Sequence, residues 1–103
     1  AFVSCIGCHK IRGNAMAVGL IGPDLTHLGS RHTIAAGLFP NDAKHLALWI
    51  KNARKMKPMG AMSMPTLGMN EFDPITKATV TKATGGLTDQ QIADIVAYLL
   101  SLK

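Results

Sequence analysis

The five residues Cys5-Ile6-Gly7-Cys8-His9 constrain this chain more than any other feature. Two thiols three positions apart, followed at once by an imidazole, have the spacing of a covalent c-type haem attachment site. On one turn of helix the two cysteines face the same way, so each can add to a vinyl group of one porphyrin. His9 then projects toward the metal as a proximal iron ligand. A Cys-x-x-Cys pair without the histidine would point instead to a redox dithiol or half of a zinc site. Structural zinc usually takes four N or S ligands at paired spacings, and no second Cys-x-x-Cys or His-x-x-x-His follows here. A Cys5–Cys8 disulfide is the remaining alternative, and it gives no role to His9 or to the methionine-rich loop downstream.

A chain of 103 residues is too short for two independent cores, so residues 1–103 read as one domain. Hydrophobic residues make up 48% and charged residues 17%, which suits a small fold wrapped around an apolar cofactor that supplies part of the core. The formal charge of +5 would fall with two haem propionates, leaving a mildly basic protein. Lys51, Arg54, Lys55 and Lys57 form the densest positive cluster, either a solvated helix face or a docking patch for an acidic redox partner. No aromatic interleaving or binding motif accompanies it, which argues against nucleic acid. No run approaches the roughly 18 apolar residues that span a bilayer, and no signal peptide is recognisable. The chain has no initiator Met and starts shortly before Cys5. The expectation is a fragment of a longer protein that continues upstream. Haem attachment of this kind implies export, which places the domain on the periplasmic side of a bacterial membrane.

Residues 1 to 10 read as a helical stub carrying the haem motif. Residues 11 to 40 hold Gly13, Gly19, Gly22, Pro23, Gly29, Gly37 and Pro40 without a sustained period, the pattern of a long ordered loop packed around something. From Asn41 or Asp42 to about Lys55 a helix is predicted, with Leu46, Trp49, Ile50 and Ala53 on its apolar face. Residues 56 to 87 again look irregular, and the short echo of Thr76-Lys77-Ala78-Thr79 in Thr81-Lys82-Ala83-Thr84 is too little for a structural repeat. The last helix is the clearest. Thr88 caps it, Gln91 completes a capping box, and Ile92, Ile95, Val96, Leu99 and Leu102 share one face.

Haem iron has a second axial position. His27, His32 and His45 are candidates without a supporting motif, better read as surface or hydrogen-bonding residues. A thioether is the stronger candidate, being a soft neutral ligand that favours ferrous iron. The chain offers Met59, Met62 and Met64 within Lys57-Pro58-Met59-Gly60-Ala61-Met62-Ser63-Met64-Pro65, and Met69 just beyond.

The order of Cys-x-x-Cys-His, Gly22-Pro23-Asp24-Leu25, a Trp-bearing middle helix, a Lys-Pro…Met-Pro loop and a final amphipathic helix resembles class I cytochrome c. More particularly, residues 22 to 31 and 87 to 99 resemble the cytochrome c domain fused to subunit II of some bacterial haem-copper oxidases. The resemblance covers nearly the whole chain except residues 66 to 86. It implies an all-α fold of about three to five helices, with long loops wrapped around one covalent haem c. By resemblance the cofactor is bound by Cys5, Cys8, His9, Pro23, Leu25, Arg31, Trp49 and Met64. The Pro23 carbonyl would accept the Nδ1 proton of His9, Leu25 would press on the haem, and Arg31 and Trp49 would hydrogen-bond a propionate, or else be a solvated side chain and simple core packing. Met64 before Pro65 resembles the distal ligand. The family's usual spacing of four residues after the loop proline points instead from Pro58 to Met62, which stays an alternative. Residues 66 to 86 are a further departure, as is the short start of the first helix.

The implied role is one-electron transfer through His/Met-ligated haem c, with no catalytic residue in the domain itself. The donor would be a quinol-oxidising complex or a small soluble carrier. The acceptor would be the copper centre of an oxygen-reducing cytochrome c oxidase, the membrane being met only through the parent protein. The alternatives are a haem domain of another respiratory enzyme, a free cytochrome, or a ligand-binding or peroxidase-like haem site.

Overall fold

The computed structural model describes residues 3–13, 15–17, 19, 22–35, 37–57 and 64–103. Two helices longer than one turn form its frame, α2 (Ala43–Met56) and α3 (Asp89–Leu100), which pack on each other. Each is started by its own side chains. Asp42 stands in extended geometry before α2 and its carboxylate accepts from the His45 amide, satisfying one of the orphan donors of the first turn. Thr88 and Gln91 form the expected reciprocal box, Thr88 Oγ1 accepting from Gln91 N at 3.2 Å and Gln91 Oε1 from Thr88 N at 2.9 Å. Thr88→Ala is expected to cost about 1 kcal/mol, readable as a lowered thermal midpoint.

Most of the predicted apolar faces are buried. Leu46 and Ile50 of α2 meet Ile92, Ile95, Val96 and Leu99 of α3 in a core that also takes Ile11, Ala17, Leu28, Ile34 and Leu87; Ala53 is buried as well, and Trp49 and Leu102 are half-buried against that core. The 3₁₀ turn Leu28–Ser30 packs against α3, and Gly29 N donates to Leu102 O at 2.6 Å.

The all-α expectation does not hold. Among the described residues only α2 and α3 exceed a single turn, α1 (Val3–Ile6) being four residues long, and they make a small mixed fold with 39% helical and 12% strand residues. The strands lie where the sequence looked irregular. Strands β1 (Thr33–Ile34) and β2 (Phe39–Pro40) pair antiparallel with Ile34 opposite Phe39, and the turn between them carries positive φ at Ala35 and Gly37. Strands β3 (Phe72–Asp73) and β4 (Ala78–Thr79) form a second hairpin, with Phe72 opposite Thr79. Two-residue strands are too short to show an alternating pattern. Turn chemistry sets them instead: Asp73 Oδ1 accepts from the amides of Ile75 and Thr76, and Lys77 takes the left-handed conformation that closes the loop.

Within residues 66 to 86, which depart from the resemblance, residues 69 to 86 form a closed lobe. The chain leaves at Gly68 and returns at Leu87, and these two residues are joined by a parallel bridge with Leu87 N donating to Leu67 O and Met69 N to Leu87 O. An excursion whose ends meet leaves the frame of α2 and α3 undisturbed.

Two side-chain locks attach the lobe to α2. Arg54 Nη1 meets Asp73 Oδ2 at 2.7 Å with both side chains buried, and Asn52 Nδ2 donates to Phe72 O at 2.9 Å. The basic cluster is divided, with one cation buried and the others half-buried or exposed. Arg54 is 8% exposed, Lys51 pairs with Asp89 at 3.0 Å, and Lys57 Nζ donates to Ala35 O. Only Lys55 of the four is exposed.

Candidate haem site

Helix α1 ends within the motif. The amides of Cys8 and His9 both donate to Cys5 O, so one tight turn sets the three side chains, and all three are half-buried. The two cysteines are not joined to each other. Among the described residues no three His, Cys, Asp or Glu side chains gather as metal donors, so the zinc alternative gains no further ligands there.

His9 Nδ1 lies 2.8 Å from Pro23 O. A carbonyl can only accept, so Nδ1 carries the proton and the lone pair stands on Nε2, the arrangement a metal-binding imidazole needs. The loop holding Pro23 is drawn onto the motif by backbone bonds from Gly22 N to Cys8 O at 2.7 Å and from Leu25 N to Lys10 O at 2.8 Å. Two glycines permit the approach. A Cβ at Gly19 would stand 2.5 Å from the Cys8 carbonyl carbon, and one at Gly22 would stand 2.4 Å from His9 Cε1. This cradle fits a histidine held as a ligand, and with the paired thiols it fits a covalently attached haem.

The turn after Pro23 is braced in its own right. Asp24 Oδ1 accepts from the hydroxyl and the amide of Thr26, and these bonds, the hydroxyl first, hold its carboxyl below the ordinary aspartate range. Arg31 is exposed, and its Nη2 donates to Asp24 O at 2.7 Å. One nitrogen is thus tied to the Pro23 turn while the guanidinium keeps further donors. Asn41 Nδ2 bonds to Leu28 O and Arg31 O, fixing the backbone from which Arg31 projects.

Leu25, Trp49, Met64 and Ile6 of the motif turn are half-buried side chains, each packed against the same core cluster. Trp49 lies tilted against Phe39 with ring centroids 6.4 Å apart. Met59 and Met62 lie outside the described residues. Met69 is placed at the foot of the lobe, its amide bonded to Leu87 O. Of the spare histidines, His27 Nδ1 bonds to Lys103 O at 3.1 Å and His45 Nδ1 to the Asp42 carboxylate at 2.8 Å. Sequence reasoning missed the two cradle glycines, Asn52 and Thr66. Close approach at a glycine leaves no trace in composition, and a polar residue within a predicted helix looks solvated until something packs over it.

A cradled Cys-x-x-Cys-His with its proline carbonyl, closed by two packed helices, defines a cytochrome c. The chain belongs to that family: the sequence model of the cytochrome c family matches residues 1–103. Membership implies covalent haem c and haem-based electron transfer between redox partners. Cytochrome c oxidase subunit 2 of Alkalihalophilus pseudofirmus is 29% identical over 100 residues, covering 97% of this chain and 22% of that protein. Cytochrome c oxidase subunit 2 of Bacillus sp. (strain PS3) is 28% identical over 102 residues, covering 97% of this chain and 23% of that protein. The chain thus spans under a quarter of these relatives' length. No solved structure matches it. No helix among the described residues is long and apolar enough to cross a membrane.

Proposed function

We propose that the chain is a one-electron carrier domain, residues 1–103, in which haem c is attached to Cys5 and Cys8 and ligated by His9 and Met64. The observation that carries this reading is the His9–Pro23 hydrogen bond, which keeps the proton on Nδ1, leaves Nε2 to bind and makes it a stronger donor. Bound there, the haem would supply reversible one-electron storage at its iron. Met64 supports the distal assignment by standing half-buried against the core cluster on which Leu25 and Trp49 also pack. A metal closed by two protein ligands has no position for substrate, so the residues act by holding, insulating and tuning it. Leu25 would press on the bound haem, and Arg31 and the indole N–H of Trp49 would serve its propionates.

In the parent protein the domain accepts electrons from a quinol-oxidising complex or a small soluble carrier. It passes them to the copper centre of an oxidase subunit II, at the periplasmic side of a bacterial membrane in which only the parent is anchored. The similarity to two oxidase subunits over 97% of the chain supports this placing. Met64→Ala is expected to abolish the weak far-red band of ferric holoprotein and to let carbon monoxide bind the ferrous form, while Met62→Ala leaves both unchanged. The opposite pattern gives the iron to Met62, and carbon monoxide binding by the unaltered holoprotein would end the closed-iron reading.

A further inference from the structure

The residues just after Met64 are fastened to a break in α2. At Asn52 the backbone leaves helical geometry, with φ −157° and ψ 75°, inside a helix that continues to Met56. The Asn52 side chain, 3% exposed, supplies what the break disrupts. Its Oδ1 accepts from Lys55 N at 3.2 Å and from Thr66 Oγ1 at 2.9 Å, while its Nδ2 donates to Phe72 O. The Lys51 carbonyl, one residue before the break, accepts from Gly68 N at 2.9 Å. Gly68 can come so near only because it lacks a side chain, since a Cβ there would stand 2.4 Å from Lys51 Cγ. Residues 66 to 68 are thus held at two points by the interrupted turn, and Thr66, 6% exposed, is two residues from Met64.

A buried amide using donor and acceptor at once is a rigid part, and a break in a helix has a local cause, here an inserted side chain that takes over the bonds of the ladder. We propose that Asn52 and Thr66 are positioning residues for the distal ligand. Their hydrogen bond holds the segment that carries Met64 against the core and limits how often its sulfur leaves the iron. The proposal rests on the reading of Met64 as that ligand. Neither residue touches the iron. They act on the opening equilibrium of the segment, which exogenous ligands sample.

The test uses ferric holoprotein and imidazole as the competing ligand. Thr66→Val removes the hydroxyl at nearly constant volume, and loss of one buried hydrogen bond is expected to raise imidazole affinity about five- to tenfold. Thr66→Ser, which keeps the hydroxyl, is expected to return to the unaltered value. Thr66→Ala is the second variant should valine be poorly accommodated, and it is expected to behave as valine does. A purely structural role for Thr66 would lower the denaturation midpoint and leave imidazole affinity unchanged. That result, with the far-red band already lost in Met64→Ala, overturns the positioning role alone. Retention of the band in Met64→Ala overturns the ligand reading and the positioning role together.

Discussion

Asp73→Ala is expected to remove about 3–5 kcal/mol of folding stability, the range found when one partner of a buried ion pair is truncated. The buried Arg54 guanidinium would lose the Asp73 carboxylate, and the amides of Ile75 and Thr76 would lose their shared acceptor. The lobe over α2 would loosen first, because the carboxylate both closes the β3–β4 turn and anchors it to the helix. Replacing both residues, Arg54→Met with Asp73→Leu, is expected to recover much of the loss, since an apolar pair leaves no unpaired charge. Denaturant unfolding of the four proteins gives the coupling. A loss below about 1 kcal/mol in Asp73→Ala would place the pair with surface salt bridges.

The same residue gives a pH signature. Burial opposes the charged form of Asp73, but the amides of Ile75 and Thr76 and the Arg54 guanidinium together outweigh it and hold its carboxyl below the ordinary aspartate value of 3.8. A depressed folded-state value means the unfolded chain takes up the proton first. The stabilisation is therefore complete above pH 3.8 and is lost as the pH falls through the lower folded value. The stability gap between the unaltered protein and Asp73→Ala should stay constant from neutrality down to about pH 4 and close below it.

Local signals carried the legible part of this molecule. The haem motif, the Thr88–Gln91 box and the apolar faces of α2 and α3 are each written within a few residues, and the structure has the box and most of the apolar faces where the spacing puts them. The lobe was illegible because its stability comes from partners about twenty positions away. Asp73 and Phe72 mean little until α2 presents Arg54 and Asn52. Arg54 was misplaced for the same reason. A charge on a helix looks solvated unless an opposite charge arrives over it, and Asp73 arrives from beyond the distal loop. The hairpins escaped for a different reason, being two residues long and fixed by turn geometry instead of alternation.

Gly19→Ala and Gly22→Ala are expected to separate two jobs of the cradle around the haem motif. An alanine at 19 would drive its methyl within 2.5 to 2.7 Å of Cys8 backbone atoms. Backbone cannot rotate away, so the loop must lift from the motif, at or above the roughly 1–3 kcal/mol typical of overpacking. Lifting it also strains the Gly22 N–Cys8 O bond that brings Pro23 to His9. The expected result is a fall in covalent haem content, read by haem staining on a denaturing gel. Full haem content with an unchanged denaturation midpoint would show that the approach is not needed. An alanine at 22 meets the His9 ring instead, and a ring can turn. Haem content should then survive, while the ring leaves the Pro23 carbonyl and its Nε2 becomes a weaker donor. A weaker donor favours ferric iron less, so the reduction potential should rise. Each tenfold loss in relative preference for the ferric state corresponds to about 59 mV in a one-electron couple. A fall in potential, or none, would mean that the Pro23 hydrogen bond does not set the electron density at the iron.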